Sequence, residues 1–491
     1  MRRFLLPAVV LAIAIVASVL AGNANDAAEP DDPPADTTTG TLTTPLISVR
    51  RTPEWLRQPT TSSLLDIAVR RPVDAVGDAG LVCASVHVNG TSVTEVAIDL
   101  PLTAGEIQRL LTVAALDAAG TRPFTTEVVR APDVTITEDG VLEGDLWLIG
   151  GADPVLSTNA YISRFDDGRA FTSLEELALS TAAVLLDEGV SVVSGRIIGV
   201  DSKYDGSPPV FGIDTWSDAE VASGVVGVTS GLLVNNGITN AATSESPEAN
   251  VRTSNAVVHA ADEFAAILEI AGVTVQSGSI SGDAPATSAR LSVASIESPP
   301  MEEIARRAVI DGTTAEMLWR EAAVRSGGSA AGLLDVLGGV NVALVEQGLL
   351  DDDVAGNYPK YDGSGLSIRS RARCVTFTGV LDPDATALAA TALPVIDDSA
   401  LSACAPTGLD SLHVLAAARP EATSMAGRAV ASNGDVITFS VIANWLPTEE
   451  GTLAPQDVCD GLLPAVLDAI AEHPAGPSIE DLTPLDPILP E

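Results

Sequence analysis

Two short stretches joined by Asn89-Gly90 constrain the fold of this chain more than any other feature. The stretches 79–90 and 91–100 have the residue pattern of strands, and Asn-Gly is the pair that a tight hairpin turn prefers. They therefore predict an antiparallel hairpin. Further along, predicted strands and helices are mixed without a strict β–α–β alternation, so the sequence predicts the α+β class.

The stretch that follows this hairpin predicts a buried helix over residues 104–118. Thr103 is followed three residues later by Glu106, which is the pattern of a capping box, so these two side chains are expected to cap the helix start. Arg109 is expected to be exposed or paired with Glu106. The apolar residues of the stretch occupy more than one helix face, as in a central helix: Ile107, Leu110, Leu111, Val113, Ala114 and Leu116.

The composition predicts a globular protein with a strong negative charge. The chain has 491 residues, of which 46% are hydrophobic and 19% charged, enough for two or three domains with a sizeable core. Its 66 acidic and 26 basic residues give a formal net charge of −40. Such a field disfavours nucleic acid, anionic lipid and polyanionic wall polymers as surface partners.

The N-terminus predicts export. Two arginines precede an apolar run from Phe4 to Ala21, so residues 1–24 are interpreted as a signal peptide or a retained membrane anchor. The protein is expected in the cell envelope or outside the cell. It is expected to contact a membrane only through this segment. Residues 25–61 are rich in Pro, Asp and Thr and predict an extended linker, and residues 473–491 predict a tail.

The four cysteines suit an exported protein that can form disulfides. There is no C-x-x-C and no H-E-x-x-H, and the four histidines are far apart in the sequence. Nothing in the pattern indicates a metal site or a cofactor.

Several stretches, in order along the chain, resemble the penicillin-binding-protein type of D-alanyl-D-alanine carboxypeptidase and endopeptidase, in the subgroup with large inserted domains. The most specific is the D-G-S-G-L-S loop. Together they span roughly residues 65–470. The stretches are EGDLWLIGGADPVL (143–156), SGRIIGVDSKYDG (194–206), ESPPMEEIARRAV (297–309), YDGSGLS (361–367) and SMAGRAVASNGDVITFSVIANW (424–445).

This resemblance implies a transpeptidase-like domain of the β-lactamase and penicillin-binding-protein kind, an antiparallel sheet flanked by helices. Both ends of the chain would build it, from residues 62–124 and 296–472. Residues 125–295 would form an inserted mixed α/β region.

The resemblance also implies acyl transfer by a serine, but this sequence lacks the residues that the reaction needs. In the family a serine at a helix N-terminus attacks the D-Ala-D-Ala carbonyl and a lysine one turn later assists the proton transfer, in the motif S-x-x-K. The chain has only two lysines, Lys203 and Lys360, so the serine would have to stand where Val200 and Asn357 are found. Both lysines are followed by Tyr-Asp, so the K-T-G motif is absent as well.

The residues that flank each family motif can be matched to this sequence, and the match shows which residues stand at the three motif positions. Glu106 falls on the serine and Arg109 on the lysine, and arginine stays protonated and cannot serve as a base. All three motifs are lost, which predicts an inactive enzyme. The residues at the second and third motifs are Ile310-Asp311-Gly312 over S-x-N and Leu415-Ala416-Ala417 over K-T-G.

Three functions are compatible with this pattern. The leading interpretation is a catalytically degenerate homologue that binds cell-wall peptides or a wall-synthesis protein, in a cleft near Glu106, Arg109 and Asp311. The alternative is an active carboxypeptidase with relocated residues, for which Asp362 and Ser364 are the cleft candidates and Ser364 the first nucleophile to test. The third is a structural exported domain. The D-G-S-G stretch itself is expected to be a turn in which glycine takes a positive φ.

In the implied fold the two chain ends meet, which makes a bridge between Cys83 and Cys459 plausible. Cys374 and Cys404 lie thirty residues apart, and a bridge between them would close the segment that they enclose. Of the three possible pairings, Cys83–Cys459 with Cys374–Cys404 is therefore the one expected.

Overall fold

The structure is a computed structural model of the chain. It describes residues 54–76, 80–165, 170–201, 203–204, 213–240, 251–329, 332–350, 360–382, 387–394, 412–419, 422–445 and 458–474. The predicted signal or anchor at 1–24 lies outside these ranges. No helix within them is both long enough and apolar enough to span a membrane.

The α-helices lie on both faces of one five-stranded sheet and pack against a second, separate sheet. The 3-10 helix Gly105–Gln108 runs directly into α2, and a single π-helical turn, Val458–Leu462, precedes α12. The helices are α1 (Glu54–Val76), α2 (Arg109–Ala119), α3 (Asn159–Ile162), α4 (Leu174–Asp187), α5 (Asp218–Ser223), α6 (Ala256–Ile270), α7 (Met301–Ile310), α8 (Gly312–Arg325), α9 (Leu333–Glu346), α10 (Cys374–Leu381), α11 (Ala387–Ala392) and α12 (Leu463–Glu472).

The strands form two five-stranded sheets, one four-stranded sheet and two small pairs within the described ranges. They are β1 (Gly80–Val88), β2 (Thr91–Val96), β3 (Thr125–Arg130), β4 (Thr135–Ile136), β5 (Val141–Glu143), β6 (Leu146–Ile149), β7 (Leu156–Ser157), β8 (Thr172–Ser173), β9 (Val192–Val193), β10 (Ile197–Val200), β11 (Ile238–Asn240), β12 (Val251–Arg252), β13 (Thr274–Val275), β14 (Ser279–Ser281), β15 (Leu291–Glu297), β16 (His413–Ala418), β17 (Ala422–Val430) and β18 (Val436–Trp445).

The first sheet joins strands from distant parts of the sequence in the order β16-β17-β18-β1-β2, and every neighbouring pair is antiparallel. The predicted hairpin is confirmed: β1 and β2 are joined by Asn89 and Gly90, with φ of 50° and 74°. These positive angles are those of the tight turn that Asn-Gly favours. The predicted antiparallel sheet flanked by helices is therefore present.

The two faces of this sheet are covered by different helices. Successive residues of a strand point to opposite faces, so Ala84 and Val86 pack in one cluster with Leu65 and Val69 of α1 and with residues of α12. Cys83 points the other way and packs in the larger cluster with α2, α7, α8 and α10. The predicted site residues Glu106 and Arg109 lie on this second side, at the start of α2.

This alternation explains why the predicted disulfides are wrong. Cys83 is bonded to Cys374, the first residue of α10, with 5.9 Å between the Cα atoms. Each cysteine can form one bridge, so neither Cys83–Cys459 nor Cys374–Cys404 exists. The chain ends do meet, but Val458 and α12 pack on the face opposite to Cys83. Cys404 lies outside the described residues.

The second sheet is built from a continuous part of the chain, residues 125–297, in the order β14-β10-β6-β3-β15. It is mixed: β6, β10 and β14 run parallel, whereas β3 pairs antiparallel with β6 and β15. Helices α4 and α6 bury their apolar side chains, such as Leu177 and Phe264, against it. This region thus has its own core.

One part of the predicted linker is helical. Helix α1 begins at Glu54, so residues 54–61 are not extended as the linker prediction for 25–61 required. The helix is stabilised by Leu65, Val69 and Val73, which recur every four residues and are buried against the first sheet. The rest of the linker, and the tail beyond Pro474, lie outside the described residues.

Candidate functional site

Glu106, which the sequence match places at the family's serine, stands in the 3-10 helix that precedes α2. The expected capping box with Thr103 is wrong, because the helix start has no side-chain cap. The Oγ1 of Thr103 instead accepts a hydrogen bond from Arg371. The carboxylate of Glu106 is held by a residue far along the chain, Arg419.

Arg419 binds Glu106 with two parallel hydrogen bonds. Its Nε lies 3.0 Å from Oε2 and its Nη2 lies 2.6 Å from Oε1, the geometry in which arginine and carboxylate pair most strongly. The third guanidinium nitrogen, Nη1, forms an ion pair with Glu220 of α5. Burial raises the pKa of Glu106, but the hydrogen bonds and charge of Arg419 outweigh it and hold that pKa below its ordinary value. Glu106 is therefore ionised at neutral pH.

Arg109, which the sequence match places at the family's lysine, is buried rather than exposed, and its hydrogen-bond partners are backbone carbonyls and not Glu106. Its Nε donates to the carbonyl of Ser364 at 2.8 Å and its Nη1 to the carbonyl of Val309 at 3.1 Å. Burial lowers its pKa, and the nearby carboxylates of Glu106 and Asp311 oppose this shift. The side chain thus joins three elements by hydrogen bonds to their backbones.

Of the residues matched to the second motif, Gly312 stands where there is no room for a longer side chain. Asp311 caps α8 by accepting the amide of Thr314 at 2.8 Å, and Ile310 is partly exposed. At Gly312, which matches the asparagine, a Cβ atom would lie 2.7 Å from Val226 and 3.5 Å from Nη2 of Arg109. A longer side chain at this position would displace one of them.

The third former motif lies on β16, beside the start of α2. Gly105 has a φ of 59°, and a Cβ atom there would lie 2.9 Å from that of Ala417, so only glycine allows this approach. Leu415 is buried in the large core cluster, where a lysine would be desolvated. The residues matched to the first and third motifs are thus adjacent, and beside them the hydroxyl of Ser424 donates to the carbonyl of Ala104.

The D-G-S-G-L-S loop forms a turn around a buried carboxylate. Asp362 is fully buried, and its Oδ2 accepts bonds from the indole of Trp216 at 2.8 Å and the amide of Ser367 at 2.7 Å. The hydroxyl of Ser364 and the amide of Gly365 complete the set at 3.2 Å each. Gly365 has a φ of 79°, so the expected turn with glycine at positive φ is confirmed.

Below this loop lie two buried side chains of opposite charge, Glu316 and Lys360, that sequence reasoning missed. Glu316 of α8 accepts the amide of Ser364 at 2.8 Å, and Lys360 donates to the carbonyl of Asp362. Burial raises the pKa of Glu316 and lowers that of Lys360, while their mutual attraction opposes both shifts. Both side chains are closed off from solvent, so they support the loop from inside.

Comparison with solved structures identifies the fold. The chain is similar to penicillin-binding protein 4 from Haemophilus influenzae, with a TM-score of 0.58 and 15% sequence identity, over 79% of this chain and 96% of that one. The structure of that protein complexed with a novel β-lactam gives a TM-score of 0.54 and 14% identity over the same shares.

The fold is that of a penicillin-binding protein. The resemblance predicted from the sequence is thereby confirmed at the level of the fold. No protein-family profile matches the chain, and no curated protein matches it in sequence.

The structure brings together most of the predicted site residues of this penicillin-binding-protein fold. Glu106, Arg109 and Asp311 converge, since the charges of both carboxylates act on the Arg109 guanidinium. Sequence reasoning missed Arg419 and Glu220. Arg419 lies one residue beyond β16, the strand that carries the residues matched to the third motif. A basic residue at this place in the sequence could have indicated a partner for Glu106. Within the described ranges, no three histidine, cysteine or acidic residues cluster as metal ligands would.

Proposed function

We propose that this chain is an exported, catalytically degenerate relative of the D-alanyl-D-alanine carboxypeptidases that acts by binding rather than by acyl transfer. The observation that carries the proposal is the state of Glu106. It stands where the nucleophile would be, and both of its carboxylate oxygens accept hydrogen bonds from Arg419. Two such bonds to a guanidinium withdraw charge from both oxygens, which lowers the nucleophilicity of the carboxylate.

The surrounding residues supply no substitute for the lost proton transfer. Attack by a carboxylate would give an anhydride rather than the family's ester. Arg109 stays protonated, and it is already bound to two backbone carbonyls. The relocated alternative on Ser364 gains no support, because this serine is 0% exposed and its hydroxyl donates to Asp362.

Export is part of the proposal, and the bridge between Cys83 and Cys374 supports it. Disulfides persist in oxidising compartments outside the cytoplasm and are rare inside it. The apolar N-terminal segment is consistent with this location. A role in the cell envelope, secreted or anchored, follows from these two observations.

Of the two expected ligand classes, the charges favour a wall-synthesis protein over a peptide that ends in D-alanine. The guanidinium of Arg419 is already shared by Glu106 and Glu220. A further carboxylate would approach two like charges, which is unfavourable at this distance. A peptide carboxylate should therefore bind weakly in this cleft or not at all.

Calorimetry and a turnover assay test this proposal together. The purified chain is titrated with acetyl-D-alanyl-D-alanine and, as a control, with its C-terminal amide, and free D-alanine is measured after incubation with the acid. We expect no D-alanine and no difference between the two titrations. Release of D-alanine would contradict the lost chemistry, and tight binding that needs the carboxylate would contradict the choice of ligand.

A further inference from the structure

Residues 213–227, which we call the strap, contact the D-G-S-G-L-S loop, the position of Gly312 and Arg419. The strap begins with the 3-10 helix Ile213–Thr215 and includes α5. It belongs to the part of the chain between the two segments that build the first sheet. Its position raises the question of what it does at a site that has lost its chemistry.

The first part of the strap is bound to the D-G-S-G-L-S loop. The hydroxyl of Thr215 lies 2.6 Å from that of Ser367, and the carbonyl of Thr215 accepts the amide of Ile368 at 3.1 Å. The indole of Trp216 reaches further in and donates to Asp362 at 2.8 Å. Trp216 also packs with Leu366 in a small buried cluster.

The last part of the strap lies on the second former motif. The amide of Gly227 donates to the hydroxyl of Thr313 at 3.0 Å. Val226 fills the space next to Gly312, where a side chain of the S-x-N motif would lie. The strap therefore occupies volume that the family's catalytic residues would need.

Between these two ends, Glu220 reaches Arg419. The side chain of Arg419 is 6% exposed and that of Glu220 is 19% exposed, so the pair is largely shielded from water and screened little by salt. The guanidinium uses two nitrogens for Glu106 and the third for Glu220. Arg419 thus has a complete set of partners only while the strap is in place.

We propose that the strap is an intramolecular plug, in which Glu220 supplies to Arg419 the carboxylate that an external ligand would otherwise bring. The inference rests on the proposed binding function, since it concerns access to the same cleft. With Glu220 bound, Arg419 is shared between two carboxylates. Without Glu220, the Nη1 nitrogen of Arg419 is left for the carboxylate of a ligand. The strap then also loses its central contact.

Hydrogen–deuterium exchange of E220Q tests the plug. This variant keeps the size of the side chain and removes the charge, so exchange of the amides in residues 213–227 is expected to rise about tenfold. D218N, an exposed substitution on the same helix, is the matched control and should change exchange less than twofold. Equal exchange in E220Q, D218N and the wild type would overturn the proposal.

A binding measurement gives the second readout. E220Q is expected to bind acetyl-D-alanyl-D-alanine at least tenfold more tightly than the wild type, and to bind its amide no better. E220D keeps the charge on a shorter side chain and should raise exchange in the strap by a smaller factor, so it serves if E220Q does not fold. Binding by E220Q that is no tighter than that of the wild type would overturn the role of Glu220.

The failure of this proposal can be told apart from the failure of the proposed function. A covalent penicillin adduct on the wild type would contradict the loss of catalysis and leave the exchange result unaffected. Unchanged exchange in E220Q would contradict the plug and leave the loss of catalysis unaffected.

Discussion

The D-G-S-G-L-S loop and the junction of Glu106 with Arg419 lie side by side and differ in what they have kept. The loop matches the family in sequence, and its central carboxylate, Asp362, is buried with four donors around it. At the junction the sequence has Glu106 and Arg109 where the resemblance implies a serine and a lysine, and Glu106 pairs with Arg419.

The difference indicates that the two regions were held by different constraints. The loop is needed to satisfy buried backbone groups, whatever chemistry takes place next to it, because an unpaired buried polar group is costly. On the proposed function the junction carries out no reaction, and Glu106 keeps 25% of its side chain exposed. The loop should therefore carry stability, and the junction should carry little.

The largest effect is expected at the bridge that fixes α10, the helix that follows the loop. Replacing both partners in C83A/C374A removes a cross-link between residues 291 positions apart. On the chain-entropy model, this lowers the free energy of unfolding by about 5 kcal/mol. Denaturant titration measures the loss, and with a reducing agent the wild type and the variant should become equal. A difference that persists under reduction would assign the effect to packing instead.

The next largest effect is expected for the loop itself. D362A leaves the indole of Trp216 and two backbone amides without their acceptor in a buried site, which should cost about 4 kcal/mol. D139N, on an exposed turn, is the control and should change stability by less than about 0.5 kcal/mol. A similarly small change in D362A would remove the contrast between the loop and the junction.

A third prediction compares Asp362 with another buried carboxylate. Asp153 accepts bonds only from Thr172 and the amide of Val155, and burial raises its pKa from 3.8 to about 6. Folding therefore favours the protonated carboxyl group of Asp153. The contribution of this group to stability is present below pH 4 and is lost as the pH rises to about 6. Over this range the loss should be about 3 kcal/mol.

The variant D153N checks this pH dependence. Asparagine is neutral throughout, so the stability of D153N relative to the wild type should rise between pH 4 and pH 7. Denaturant titrations at several pH values give the difference. A constant difference across the range would show that Asp153 does not titrate there.

The smallest effect is expected at the junction. E106Q removes one charge of an ion pair in which Glu106 is 25% exposed and leaves Arg419 its second partner, Glu220, so it should cost about 1 kcal/mol at pH 7. The pKa of Glu106 is held below its ordinary value, so the contribution is present above the unfolded pKa and is lost as the pH falls through the folded one. The cost should therefore vanish in acid. A loss as large as that of D362A would place the junction among the structural elements.

Local features of this molecule could be predicted from the sequence, and long-range ones could not. The hairpin at Asn89-Gly90 and the positive φ of Gly365 follow from turn chemistry within a few residues. The fold followed from motifs in a fixed order. The loss of S-x-x-K needed only the positions of the two lysines.

The errors share one cause, which is a partner from far along the chain. Thr103 and Glu106 had the spacing of a cap, but Arg371 and Arg419 bind them instead. The disulfide prediction failed because it used the meeting of the chain ends and not the face to which Cys83 points. No local pattern specifies these contacts, since they depend on how β16 and α10 pack.

Labelling of the purified protein with a fluorescent penicillin tests the central claim most directly. The wild type and a heat-denatured sample are incubated with the reagent, next to an active penicillin-binding protein as the positive control, and covalent label is read after denaturing electrophoresis. The account predicts no label on the wild type above that of the denatured sample. A stoichiometric covalent adduct would contradict it.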